Sequence, residues 1–183
     1  MKIIAGNPGT GKHAVAHIVA KKIGLDIIDI NKIAIDKKIF EKRNGILDVD
    51  VHKLKKILDK KTSNKSLLVG HLAPYVVSRD RVEIAAVLRR SPYELELVYK
   101  KRKYNKEKLF ENLGSEILGI TSYDTIKNVG KNKTVQFDTT KKSIVAISKK
   151  IELLFQEHKV KGDDVDWLSL VLKKGDLQRF FPY

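Results

Sequence analysis

The chain has no cysteine, one tryptophan, one methionine and four prolines in 183 residues. Without cysteine there are no disulfides and no thiolate metal sites, which fits a reducing compartment. No apolar run is long enough to span a bilayer, and the first residues lack the apolar core of a secretory leader, so a cytoplasmic protein without a membrane partner is expected. Acidic residues are also scarce. Against 37 Lys and Arg stand 22 Asp and Glu, giving a net charge of +15 and a pI near 9.8. Such an excess favours polyanionic partners over acid-repelled ones. The lysines are spread along the chain, with local concentrations in "YKKRKYNKEK" (99–108) and at Arg79, Arg81, Arg89 and Arg90. A hydrophobic content of 42% with 32% charged residues is globular composition and excludes a disordered chain. The length suits one domain with a real core.

What is present alternates between short apolar runs and amphipathic stretches. Residues 2–5 (KIIA) predict a buried parallel strand, and apolar positions at Ala14, Val15, Ile18, Val19 and Ile23 predict a helix over 12–23 that Gly24 ends. A second strand is expected at 25–30, a helix over about 31–40, a loop at 43–50 and a lysine-rich helix at 51–61. Strands follow at 67–69 and 82–88. Ser91 and Pro92 then start a helix reaching about Lys101. A basic loop precedes a long helix over about 106–127, a fifth strand at 134–138 and a helix at 141–157. Residues 165–181 read as a helix or arm docked on the core. Strand–helix alternation implies βαβ units, hence an α/β fold with a parallel sheet covered on both faces. Ligands in such sheets sit beyond the carboxyl ends of the strands, where Gly6, His71 and Arg89 fall.

Gly6-Asn-Pro-Gly-Thr-Gly-Lys12 matches GxxxxGK in the required context of strand, loop and helix. The glycines let successive N–H groups turn toward one anion, the helix start adds its dipole, and Lys12 adds a point charge. The next position normally carries Ser or Thr to ligate Mg²⁺. Here it is His13, and imidazole suits that ion poorly. His13 and His17 are spaced i, i+4, but Ala14 occupies the place of a zinc protease's glutamate, so no protein metal site is assigned. Asp29, Asp48 and Asp50 are the nearest carboxylates for a Mg²⁺ otherwise held by nucleotide and water. Asp50 is equally a good helix N-cap, and Asn44-Gly45 a turn.

Four segments together resemble the atypical adenylate kinases that also act in small-ribosomal-subunit maturation, including their archaeal members. They are "GNPGTGK", "NGILDVDVHKLKKIL", "LLVGHLAPYVV" and "VLRRSPYELELVYKKRKYNKEKLFENLGSEI". The resemblance covers residues 1 to about 158. It implies a P-loop NTPase fold of three layers (α/β/α) with a five-stranded parallel sheet, adenylate-kinase-like with a short lid. It implies transfer of the terminal phosphate of ATP to AMP or another nucleoside monophosphate, with Mg²⁺ as cofactor. By position it assigns Gly9, Gly11, Lys12, His13 and Ala14, with Thr10 between them, to the triphosphate-binding loop, Arg102 to the lid arginine that contacts ATP, residues about 29–52 with Asp29, Arg43 and Asp48 to the monophosphate segment, and His71 to the histidine of the Walker B-like motif; Arg89 directly follows the fourth strand and so is expected to face the substrate at the ligand edge. Lys12, Arg89 and Arg102 are the expected catalytic cations. Residues 1–158 would form the kinase domain, with the monophosphate segment at about 29–52 and the lid at about 101–111, and 159–183 a C-terminal arm. Two departures bear on the metal: His13 replaces the hydroxyl, and Val69 stands where the family carries an acid. The resemblance also implies rRNA or a small-subunit ribosomal protein as partner. A nucleotide-gated assembly factor with little turnover is the competing reading, and a shikimate-, gluconate- or dephospho-coenzyme-A-type kinase is a third.

Overall fold

The computed structural model describes residues 1–43 and 46–182. Five parallel strands, β1 (Lys2–Gly6), β2 (Asp26–Asp29), β5 (Ser66–Val69), β6 (Ile84–Arg89) and β7 (Thr134–Asp138), form one sheet in the order β2-β5-β1-β6-β7. The expected five-stranded three-layer architecture is what the chain adopts. Alternate residues of the central strands enter two separate cores, because side chains leave a strand on opposite faces. Ile3, Ala5, Ala85 and Val87 meet α2 (Ile30–Asp36), α3 (Val51–Lys61) and α6 (Ile120–Val129) through Ile30, Leu54, Leu58 and Val129. Ile4, Ala86 and Leu88 meet α1 (Lys12–Ile23) and α7 (Ile144–Glu157) through Val15, Val19, Ile147 and Ile151. The register sets Asp29 opposite Val69 and Arg89 opposite Asp138, so the strand ends form one continuous edge.

Three local expectations are corrected. The helix after β2 stops at Asp36 instead of running to Phe40. Ile39 N–H bonds to Ala34 O at 2.9 Å and Lys38 N–H to Ile35 O at 3.0 Å, a Schellman closure with Lys38 in the left-handed region at φ 50°. Lysine at that position hides the signal that a glycine would give. Residues 43–50 are not simply a loop: β3 (Phe40–Arg43) and β4 (Ile46–Val49) pair as an antiparallel hairpin. The turn expected at Asn44-Gly45 lies outside the described residues. The long helix breaks into α5 (Lys106–Ile117) and α6 at Gly119, which takes φ 68° with the Arg89 guanidinium 3.4 Å from where a Cβ would sit.

Beyond α7 the chain runs beside β7, with Asp163 N–H on Gln136 O at 2.9 Å and Asp163 Oδ2 accepting from Asp138 N–H at 2.9 Å. It ends in α8 (Trp167–Lys173) and α9 (Leu177–Phe180). Val171 and Phe180 from these helices close a third core with Leu95 and Tyr99 of α4 (Pro92–Lys101) and Leu113 of α5.

Candidate active site

The turn between β1 and α1 is built for an anion. Gly9 and Gly11 take φ 85° and 90°, and a Cβ at Gly9 would come within 2.9 Å of Leu95 Cδ2. The carbonyls of the turn are tied back into the protein. Asn7 O accepts from Thr10 Oγ1 at 2.9 Å and Lys12 Nζ at 3.3 Å, Pro8 O from Tyr99 Oη at 2.7 Å, and Gly9 O from Arg90 Nη1 at 2.9 Å. Gly11, the N-cap of α1, supplies no side-chain acceptor, so the first N–H groups of that helix remain for a ligand.

Lys12 is 5% exposed. Burial, with the positive charge of Arg102 adding to it and Asp29 opposing, lowers its pKa to about 8. Arg102, the C-cap of α4, is thus near enough for its charge to act on Lys12. Its turn is anchored by Tyr104, which stacks on Tyr99 at 5.2 Å, and Tyr99 in turn grips Pro8. A phosphate bound at the turn would hold the proton on Lys12. ATP affinity is accordingly expected to be flat below pH 8 and to fall about tenfold per pH unit above it. Calorimetric titrations between pH 6.5 and 9.5 check this.

His13 lies on the first turn of α1 with Nδ1 3.3 Å from Asp29 Oδ2. Burial and then Lys12 hold its pKa below the ordinary histidine value, so the ring is neutral at pH 7. The other oxygen of Asp29 caps α2, accepting from Lys32 N–H at 3.1 Å. His71 follows β5 and its Nδ1 is buried without a partner among the described residues. Its pKa is also lowered, by burial and then by Lys12, with Asp48 opposing. Charge interactions thus link Lys12 with His13, Asp29 and Arg102, and His71 with Lys12 and Asp48. Asp50 caps α3 through Lys53 N–H at 2.9 Å. Arg43 belongs to β3, and its side chain lies outside the described residues.

Arg89 is placed differently from the ligand-facing cation expected from its position. It is 3% exposed, and its guanidinium donates to Glu116 Oε1 at 2.7 Å, Glu116 O at 2.7 Å and Gln136 Oε1 at 2.9 Å. The carboxyl end of α5 captures it, an arrangement between residues 27 apart that no local pattern announces. Sequence reasoning also missed a cavity of about 430 Å³ beside the phosphate turn, lined by Thr10, Gly11, Arg90, Thr139, Lys141 and Ser143. Its one legible signal is that residues 139–143 directly follow a strand at the ligand edge. A second cavity of about 710 Å³ opens at the β2 edge beside His13, His17, Asp29 and Lys32.

Among the described residues no cluster of three or more His, Asp or Glu is arranged to hold a metal. Val69 is fully buried in β5 and offers no ligand. These residues fit a Mg²⁺ carried by phosphate oxygens and water, with Asp29 Oδ2, next to His13, as a candidate carboxylate.

Sheet order and the glycine turn between β1 and α1 define a P-loop NTPase fold of the small-kinase kind. The profile of the ATPase family associated with various cellular activities (AAA) matches residues 3–90. Solved structures show the same fold. They include shikimate kinase from Bacteroides thetaiotaomicron (TM-score 0.55, 12% identity, 85% of this chain and 97% of that one) and a gluconokinase from Sinorhizobium meliloti (TM-score 0.52, 15% identity, 86% and 97%). Over most of its length the chain is a homologue of archaeal proteins described as "Putative adenylate kinase". That of Thermococcus kodakarensis is 26% identical over 166 residues, 90% of each chain, and that of Pyrococcus furiosus 28% identical over 169 residues, 91% of each. Among the described residues no helix is long and apolar enough to cross a membrane.

Proposed function

We propose that this protein is a nucleoside monophosphate kinase that moves the terminal phosphate of ATP to AMP or a related monophosphate. The observation that carries the reading is a glycine turn whose Asn7, Pro8 and Gly9 carbonyls are bonded back into the protein, with Lys12 buried beside it and the charge of Arg102 acting on Lys12. In this reading the turn and the start of α1 hold the triphosphate. The nucleobase of ATP enters the cavity between Thr10–Gly11 and residues 139–143, and the acceptor lies toward Asp29, Asp48 and His71. An acceptor phosphate oxygen forms the new bond to the γ-phosphorus as the bond to the β–γ bridging oxygen breaks, leaving two diphosphates. Lys12 and Arg102 stabilise the charge that builds on the transferred group, and the buried setting strengthens both. Asp29 would stand beside a Mg²⁺ brought with the nucleotide, which would supply further neutralisation of phosphate charge. Arg89 acts as a positioning residue behind the turn. Residues 1–158 form the catalytic body, with 29–52 as acceptor segment, 101–111 as lid and 159–183 as an arm on the core.

Coupled measurement of ADP formation from ATP with a panel of acceptors tests the assignment. Turnover with a nucleoside monophosphate and none with shikimate or gluconate is expected; turnover only with the small acids would replace it. For the metal, His13→Thr restores a hydroxyl at the helix start and is expected to lower the Mg²⁺ concentration giving half-maximal rate. An unchanged Mg²⁺ dependence would show that this position does not govern the ion.

A second reading, a nucleotide-gated factor gripping rRNA or a small-subunit ribosomal protein, draws on the +15 charge and on Lys53, Lys56, Lys60 and Lys61, all exposed on α3. Binding of rRNA fragments that weakens steeply with salt is its signature.

A further inference from the structure

At the carboxyl end of α5 a fully buried charge sits directly behind the phosphate turn. Glu116 is 0% exposed, and its two oxygens receive four donors. Oε2 accepts from Asn7 Nδ2 at 2.8 Å. Oε1 accepts from Arg89 Nε at 2.7 Å, from the Arg90 backbone N–H at 3.1 Å and from the Trp167 indole N–H at 3.1 Å. Burial pushes this carboxyl up from its ordinary value, and Arg89 opposes that. Because every partner donates, the ionised form is the one the geometry accommodates. The donors come from the phosphate turn, the end of β6 and α8, so one carboxylate joins three parts of the chain.

Asn7 is the link to the chemistry. Its side-chain oxygen accepts from Thr121 Oγ1 at 3.0 Å and Ser115 Oγ at 3.3 Å, so the amide is held from both ends. Its backbone carbonyl is the acceptor for Lys12 Nζ. Rotating Asn7 would move that carbonyl, and with it both the turn and the resting place of the catalytic ammonium.

We propose that Glu116 is a positioning residue for the phosphate turn: it fixes Asn7 from behind so that the turn and Lys12 meet the polyphosphate in register, and Trp167 of the C-terminal segment completes its set of donors. This rests on the reading of the turn as an ATP site. Glu116→Gln is the discriminating change. It keeps an oxygen for Arg89 but sets an amide N–H₂ against the amide of Asn7. Combining it with Asn7→Asp returns an acceptor to that contact. Trp167 is the chain's only tryptophan, so its emission reports on the cluster without a label.

The experiment compares wild type, Glu116→Gln, Asn7→Asp/Glu116→Gln and Trp167→Phe by steady-state kinetics and by calorimetric ATP binding, with ATP titrations of Trp167 emission in the variants that keep it. In wild type the emission should change with the calorimetric midpoint. Glu116→Gln should raise KM for ATP roughly tenfold, the worth of one hydrogen bond to a charged group, while KM for the acceptor stays within about twofold. The reciprocal pair should recover most of that loss. If Glu116→Gln does not fold, Trp167→Phe, which removes one outer donor, should still raise KM for ATP about threefold. Wild-type ATP affinity in the variants, with emission blind to ATP, would overturn the proposal and leave the kinase reading standing. So would a loss of kcat that follows the folded fraction, with KM unchanged. A folded wild-type protein that binds no ATP would remove the nucleotide reading and this inference together.

Discussion

Lys12→Met is expected to lower kcat by about two to three orders of magnitude and, at neutral pH, to make the protein more stable. The first part follows from removing a positioned cation from the path of phosphoryl transfer. The second follows from the cost of keeping that cation ready. Lys12 is buried, and burial with Arg102 nearby lowers its pKa to about 8. The unfolded chain therefore holds the Lys12 proton more tightly than the folded one does. Below pH 8 the buried ammonium costs the fold on the order of 3 kcal/mol, a cost that fades as pH rises toward the unfolded value. Methionine fills a similar volume without the charge, so the gain should be largest at pH 7 and vanish near pH 10.5. Thermal melts at both pH values, beside kinetics at pH 7, check the pair of effects. Lost activity with lost stability would mean that Lys12 supports the fold instead of waiting for a phosphate.

Arg89→Met is expected to act in the opposite sense on the fold. The guanidinium and the Glu116 carboxylate are both buried, with the ion pair at 2.7 Å. Removing one partner leaves an uncompensated interior charge, a loss of about 3–5 kcal/mol. For a chain of this size that lowers the melting temperature by roughly 10 °C or more. Removing both charges together, as Arg89→Met/Glu116→Leu, should recover a large part of the loss, because a buried pair returns little more than its own desolvation. An arginine that served only to contact phosphate would show the reverse: a normal melt, a rate defect, and no relief from the second substitution.

The contrast between these two residues shows what the sequence carries and what it does not. Lys12 was legible because strand, glycine turn and helix are local and each has its own pattern. The same holds for α3 and β7, whose apolar spacing matches their period, for β5, a continuous apolar run, and for Asp50, whose capping role needs only the three residues that follow. Arg102 was legible as a candidate through the resemblance and Asp29 as the carboxylate that ends the second strand, and the charges of both act on Lys12. Arg89 was misjudged because its partners, Glu116 and Gln136, are 27 and 47 residues away. Glu116 falls within the fourth segment of the resemblance, but its partners Asn7, Arg89 and Trp167 lie 109, 27 and 51 residues away, so its burial was not legible. The hairpin at 40–49 was hidden by a lysine doing a glycine's work at the end of α2. The break at Gly119 was hidden by apolar spacing that continues across it. In each case a long-range contact or an uncommon backbone conformation overrode the local pattern.

The central claim is that the β1–α1 turn, closed by Lys12 and Arg102, receives the polyphosphate of a nucleotide next to an acceptor site. Isothermal titration of the folded protein with a bisubstrate dinucleotide, two nucleosides joined by five phosphates, tests it most directly. The account predicts one-to-one binding, tighter than ATP alone and weakened by Lys12→Met. No heat from dinucleotide or ATP, with the protein shown to be folded in the same cell, would contradict it.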